Sequence, residues 1–182
     1  TNSYGNMVSS FFGAKFGKHI EELLISPLPN WVILAGYVAG ALLRGLMVGA
    51  VVLAVSLFFT PIEVQHPLVM LSVLLLTAIV FALAGMVNAI FAQKFDDIAI
   101  IPTFVLAPLT YLGGVFYSIS LLPEFWQGVS VFNPILYMVN GFRYGMLGVS
   151  DVSLALSYGV ILTAGAVLFA WCLYLLHRGT GM

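Results

Sequence analysis

The sequence predicts an all-α protein, a polytopic bundle of transmembrane helices, and three observations carry that prediction. Of its 182 residues, 62% are apolar and only 7% are charged, against roughly 25% charged in a water-soluble domain whose surface must be wetted. The apolar residues gather in four long runs, each near or above the length of about 20 residues that a helix needs to cross roughly 30 Å of hydrocarbon. The basic residues fall mainly in alternate gaps between those runs, as they do when one set of loops faces the cytoplasm.

Taken in order, Thr1 to Phe12 reads as the end of a truncated span. Thr1-Asn2-Ser3 carries neither an initiator Met nor a charged region ahead of an apolar core. The start is therefore not a signal peptide, and the chain reads as the C-terminal part of a longer protein. A connector follows from Gly13 to Asn30, and then the first full span from Trp31 to Phe59. The second runs from Leu68 to Phe91, the third from Ile98 to Tyr117 and the last from Val152 to Leu176. Backbone amides in lipid must be satisfied within their own segment, which selects helices. An outer-membrane barrel would show short alternating stretches instead. Gly36 and Gly40, Ala35 and Ala39, and Gly45 and Gly49 stand four residues apart. Such pairs permit close helix approach, but glycine is common in spans and no contact is inferred from them.

The loops set the orientation. Lys15 and Lys18 lie in the first loop, Lys94 in the third and Arg178 at the C-terminus. The second loop has no Lys or Arg, and the fourth has only Arg143. The first and third loops and the C-terminus are thus expected inside. Trp31 and Trp171 fall near the inner interface and Trp126 near the outer one, where amphipathic rings settle.

The fourth loop, Ser118 to Asp151, is too apolar to be solvated and too broken to span. Leu121-Leu122-Pro123, Phe125-Trp126 and Val129 to Met138 crowd it, with Asn133-Pro134 interrupting the last run. It reads as an outer re-entrant helical hairpin; a pair of interfacial helices lying flat accounts for the same pattern.

A search for chemistry returns little. The net charge of -1 offers no field for nucleic acid. Cys172 is the only cysteine, so no intrachain disulfide can form. Gly13-Ala14-Lys15-Phe16-Gly17-Lys18-His19 has the wrong spacing for a phosphate-cradling loop, so any ATP and Mg would be bound by another chain. No cofactor or metal is expected here. A membrane-embedded enzyme would need converging ligands, yet His19, His66 and His177 are assigned to different loops on two sides. An ion-coupled secondary transporter would bring several buried acids, and the spans hold none.

Two features remain. Arg44 sits about 20 Å along the first full span at 1.5 Å per residue, and an Arg there costs about 2.5 to 3.5 kcal/mol on insertion scales. It either lines a pathway for a polar or anionic substrate or is structural, paired with backbone carbonyls or with Asn88; the structural pairing is preferred. The stretch Lys18 to Asn30 is the second. Ile20, Leu23 and Leu24 fall at helical spacing with Glu21 and Glu22 turned elsewhere, and Pro27 and Pro29 would end that helix. A short helix pinned between spans can pass on a push from a soluble partner, or simply rest on the membrane as a connector.

Glu21-Glu22-Leu23-Leu24-Ile25-Ser26-Pro27 before a span and Gly113-Gly114-Val115-Phe116-Tyr117 at the end of a later one resemble the ABC-2 family of transporter permeases. Leu122-Pro123, Phe125-Trp126, Asn133-Pro134, Tyr137 and Arg143 continue the match in order. The resemblance implies a single ABC-2 transmembrane domain over residues 1–182, part of a multi-pass protein of the bacterial inner membrane. It implies that Glu21, Glu22, Leu24, Ile25, Ser26 and Pro27, within a cytoplasmic loop at 13–30, couple to a separate ABC-type ATPase. It implies a homodimer of permeases in membrane lipid that exports substrate. Pro123, Trp126, Asn133, Pro134, Tyr137 and Arg143 would belong to the outer re-entrant segment within 118–151. Asn140-Gly141 departs from the family pattern, which often has an acidic residue before the Arg.

Overall fold

The computed structural model describes residues 1–25, 27–59, 64–115 and 123–179, without the side chains of Glu21 and Leu24. Its helices are α1 (Asn2–Phe16), α2 (His19–Ile25), α3 (Asn30–Phe59), α4 (Pro67–Phe91) and α5 (Phe95–Ile101). A π-helical segment (Pro102–Leu106) joins α5 to α6 (Ala107–Leu112), and α7 (Glu124–Val131), α8 (Pro134–Leu147) and α9 (Leu154–Arg178) complete the chain. There is no strand among the described residues. Four helices are long and apolar enough to cross a membrane: Asn30–Phe59, Pro67–Phe91, Phe95–Leu112 and Leu154–Arg178. The all-α polytopic fold is therefore the observed one.

The centre of the bundle is α4, which packs against α1, α8, α9 and α3. Tyr4, Met7, Phe11 and Phe12 recur on one stripe of α1 and are buried with Leu83, Met86 and Ile90 of α4. The helices meet closely because residue 85 is glycine. A Cβ there would lie 2.8 Å from the Tyr4 carbonyl oxygen. A second cluster, Val73, Val80, Met138 and Ile161, ties α4 to α8 and α9.

The helix ends sort into two groups. Lys15, at the end of α1, reaches the last residues of α4, and Phe91 at the end of α4 faces Trp171 near the end of α9. Lys15, Lys94 and Arg178 therefore share one end, the one the sequence expects inside. At the other end His66 stacks on Tyr144, and the hydroxyls of Ser72 and Tyr158 meet.

Helix limits differ from expectation where polar side chains hide a terminus. Helix α1 continues past Phe12 to Phe16. The third span begins at Phe95, three residues before Ile98, because the Asp97 carboxylate accepts the backbone N–H groups of Gln93 and Lys94 at 2.9 Å each. Asp97 is thus part of the helix start and not of the loop. This span is α-helical only at its ends. Pro102 has no N–H to give and its ring crowds the preceding turn, and the widened π turn begins at that residue. The helix stops at Leu112, before Gly114 takes a φ of 74°. The expected end at Tyr117 lies outside the described residues. The last span begins at Leu154 rather than Val152 and closes at Gly179, φ 61°.

Candidate functional site

At the end that bears Lys15, α1 and α2 are joined by a turn in which Lys18 has a φ of 59°, a left-handed conformation few non-glycine residues adopt. This turn lays α2 against the end of the bundle. Ile20 is buried with Phe12 and Ile90, and Leu23 is half-buried beside them. Glu22 and Pro27 are exposed, and Ile25 is 86% exposed. An amphipathic seven-residue helix is thus moored by its apolar side, with a carboxylate and an isoleucine projecting away. Ser26 and the side chains of Glu21 and Leu24 lie outside the described residues.

Arg44 and Asn88, one of the two pairings offered for a structural Arg44, are not brought together. The Asn88 amide donates to the Tyr4 hydroxyl at 2.8 Å and to the Ile98 carbonyl at 3.3 Å. It holds α1 and α5 to α4 in the middle of an apolar core, where an unpaired amide would be costly. Arg44 is exposed on α3, and no hydrogen bond or ion pair to it is seen among the described residues. It also lies outside the wall of a cavity of about 750 Å³ between the start of α1 and helices α3, α4 and α8. That cavity is mainly apolar, bounded by Gly45, Gly49, Phe81 and Phe142, with Arg143 in its wall.

The segment expected on the outer side has two unlike halves. Helix α7 follows Pro123 and leaves Phe125, Trp126 and Phe132 exposed. Helix α8 opens at Pro134, where the Asn133 side chain accepts the Ile135 N–H at 3.0 Å and donates to the Leu109 carbonyl at 2.6 Å. It then runs antiparallel to the first half of α4. Gly141 lies against Val73, Gly145 against the backbone of Met70 and Gly148 against Gln65. The His66 N–H donates to the Gly145 carbonyl at 2.8 Å, so the start of α4 and the end of α8 satisfy each other. The Tyr137 hydroxyl donates to the Val131 carbonyl at 2.8 Å and closes α7 onto α8. Arg143 bridges three elements, donating to Asp151 at 3.0 Å and to the Gly114 carbonyl at 2.6 Å.

A short amphipathic helix at one end of the bundle, long apolar spans and a packed helix pair at the other end are the ingredients of a transporter subunit, and comparison with known proteins fixes which kind. Residues 1–147 match the family described as ABC-2 type transporter. The chain belongs to the ABC-2 transporter family. It is 55% identical over all 182 residues to the inner membrane transport permease YadH of Escherichia coli K12, covering 71% of that protein. It is 27% identical over 168 residues to nodulation protein J of Rhizobium leguminosarum bv. viciae, covering 92% of this chain and 65% of that one. With nodulation protein J of Rhizobium meliloti it shares 26% over 177 residues, covering 97% and 68%. No solved structure matches the chain. The ABC-2 chain is a membrane subunit of an ABC-type transporter and a multi-pass protein of the inner membrane.

Several residues of this permease escape a linear reading. Lys15 serves as an orientation marker in the sequence; in the fold its ammonium donates to the Ile90 and Ala92 carbonyls at 2.7 and 2.8 Å. Asp151 marks the end of a loop in the sequence and pairs with Arg143 in the fold. Asn140 accepts the Asp151 N–H at 2.9 Å and donates to the Leu136 carbonyl at 3.0 Å. The amide thereby shapes the turn that presents Asp151 to Arg143. Asp151 lies in the turn between α8 and α9, so no single regular element carries both partners and no periodicity announces the pair.

Proposed function

We propose that the chain is the permease of an ATP-driven exporter, in which two copies form the path and a separate ATPase subunit docks on α2. The observation that carries this reading is the moored, two-faced helix His19–Ile25 at the end of the bundle bearing Lys15, Lys94 and Arg178. Its buried Ile20 fixes it to α1 and α4, while Glu22, Ile25 and Pro27 stand free for a partner. Glu22, with Glu21, supplies polar contacts; Ile25, with Leu24, supplies apolar docking; Pro27 follows the helix end at Ile25. ATP binding closes the ATPase pair, the motion pushes α2, and the spans rearrange to open a path between the two copies. ATP and Mg are held by the partner, and this chain does no hydrolysis.

Arg44 belongs to that path in this reading. An exposed Arg on a spanning helix is too costly to leave in lipid, and with Asn88 already committed to Tyr4 and Ile98 the acceptor comes from a substrate or the second copy. The outer pair α7 and α8 forms the re-entrant closure. The descent of α8 along α4 from Gln65 to Val73 supports insertion over a helix lying flat on the surface. Glu22→Lys combined with Pro27→Ala in the full-length permease is expected to abolish stimulation of the partner's ATP hydrolysis while membrane insertion stays normal. Undiminished stimulation in that double variant would rule out α2 as the docking element.

A further inference from the structure

We infer that Lys15 is the positioning residue that makes α2 move as one piece with the inner ends of α4 and α5. The inference rests on the reading of α2 as the docking helix, and it explains how a push there reaches the bundle. The final intrahelical donor of α4 is the Ala92 N–H, bonded to the Asn88 carbonyl. The carbonyls after Asn88 therefore have no helical partner. Lys15 Nζ donates to two of them, Ile90 at 2.7 Å and Ala92 at 2.8 Å. A cation at a helix C-terminus also meets the negative end of its dipole.

Three residues separate Lys15 from α2, and one of them is Lys18 in its left-handed turn, so the linkage is short. Around it, the Phe95 ring at the start of α5 lies 5.1 Å from Phe12 and 5.2 Å from Phe16. Ile20 of α2 is buried in the same cluster. One ammonium thus connects the terminus of α1, the root of α2 and the terminus of α4, with α5 packed alongside. Methionine at position 15 keeps the stem and loses the donors; arginine keeps donors for both carbonyls.

The test uses full-length permease in nanodiscs, with spin labels on cysteines replacing His19 and Phe91, both exposed. Cys172 is fully buried and stays unlabelled. The distance is measured for the isolated permease and with the ATPase subunit, with and without ATP. Wild type and Lys15→Arg are expected to keep one distance in every state. Lys15→Met is expected to populate a second distance, about tenfold or more above wild type, the factor for losing one charge-assisted hydrogen bond. An unchanged distance in Lys15→Met, alone and with ATP, overturns the assignment. If wild type retains no ATPase subunit, the docking reading fails by itself, and the distance in the isolated permease still decides on Lys15.

Discussion

Helices α3 and α4 are both long apolar spans, yet they do opposite things. Along α4, Val73, Leu83, Met86, Ala89 and Ile90 are buried, and neighbours press on it from several sides. Along α3 only Ile33, Leu34 and Ala41 are buried, while Leu43, Met47 and Val51 stay exposed. Most of the glycines show the same division. A Cβ on Gly85 would strike α1, whereas one on Gly36, Gly40 or Gly49 would meet nothing within 4 Å, and Gly45 is the one α3 glycine that closes on a neighbour, Ser3 of α1. Apolarity fixes that a helix enters lipid; it does not say which helix the others pack around. In a membrane that choice falls to small residues and to interhelical hydrogen bonds, because lipid tails are as apolar as leucine. Helix α4 has both, in Gly85 and Asn88, and α3 leaves its one strong polar group, Arg44, facing outward.

Substitutions that trade the two helices' roles should expose this division, beginning with the most disruptive. Gly145→Leu drives a side chain into the Met70 backbone, whose nitrogen would lie 2.6 Å from the new Cβ. It should destabilise by about 3 kcal/mol in detergent unfolding, against about 0.5 kcal/mol or less for Gly49→Leu. Equal losses would mean that α4 is no more crowded than α3. Met86→Ala, at a fully buried position, should cost about 2 kcal/mol, and Met47→Ala, at 63% exposure, close to nothing. Asn88→Val should cost about 1 kcal/mol, and a double-mutant cycle with Tyr4→Phe should show positive coupling. Strict additivity would remove the hydrogen bond from the account. Arg44→Leu should move stability least, within about 0.5 kcal/mol, while transport is lost; normal transport would return Arg44 to a passive role.

The sequence made the spans and their number legible, because hydrocarbon imposes length, and its basic residues foretold which helix ends gather together. It also marked α2, whose apolar spacing and prolines are local signals. What it could not show were contacts between residues far apart in the chain. Asn88 had Arg44 as its candidate partner in the sequence, and the fold gives it Tyr4 and Ile98 through the packing of α1 and α5 on α4. Lys15 joins carbonyls 75 and 77 positions away. Local errors had local causes. Asp96-Asp97 looked like loop until Asp97 was seen to bond the backbone N–H groups of Gln93 and Lys94. Lys15 looked like the loop after α1 because its charge masked a helix that continues to Phe16.

Purification of the full-length permease from its native membrane in mild detergent puts the docking account to its most direct trial. A soluble subunit carrying the phosphate-cradling loop G-x-x-x-x-G-K-[ST] is expected to elute with wild type and to be lost with the Glu22→Lys, Pro27→Ala variant. Wild-type permease that moves its substrate yet elutes without such a subunit would contradict the account.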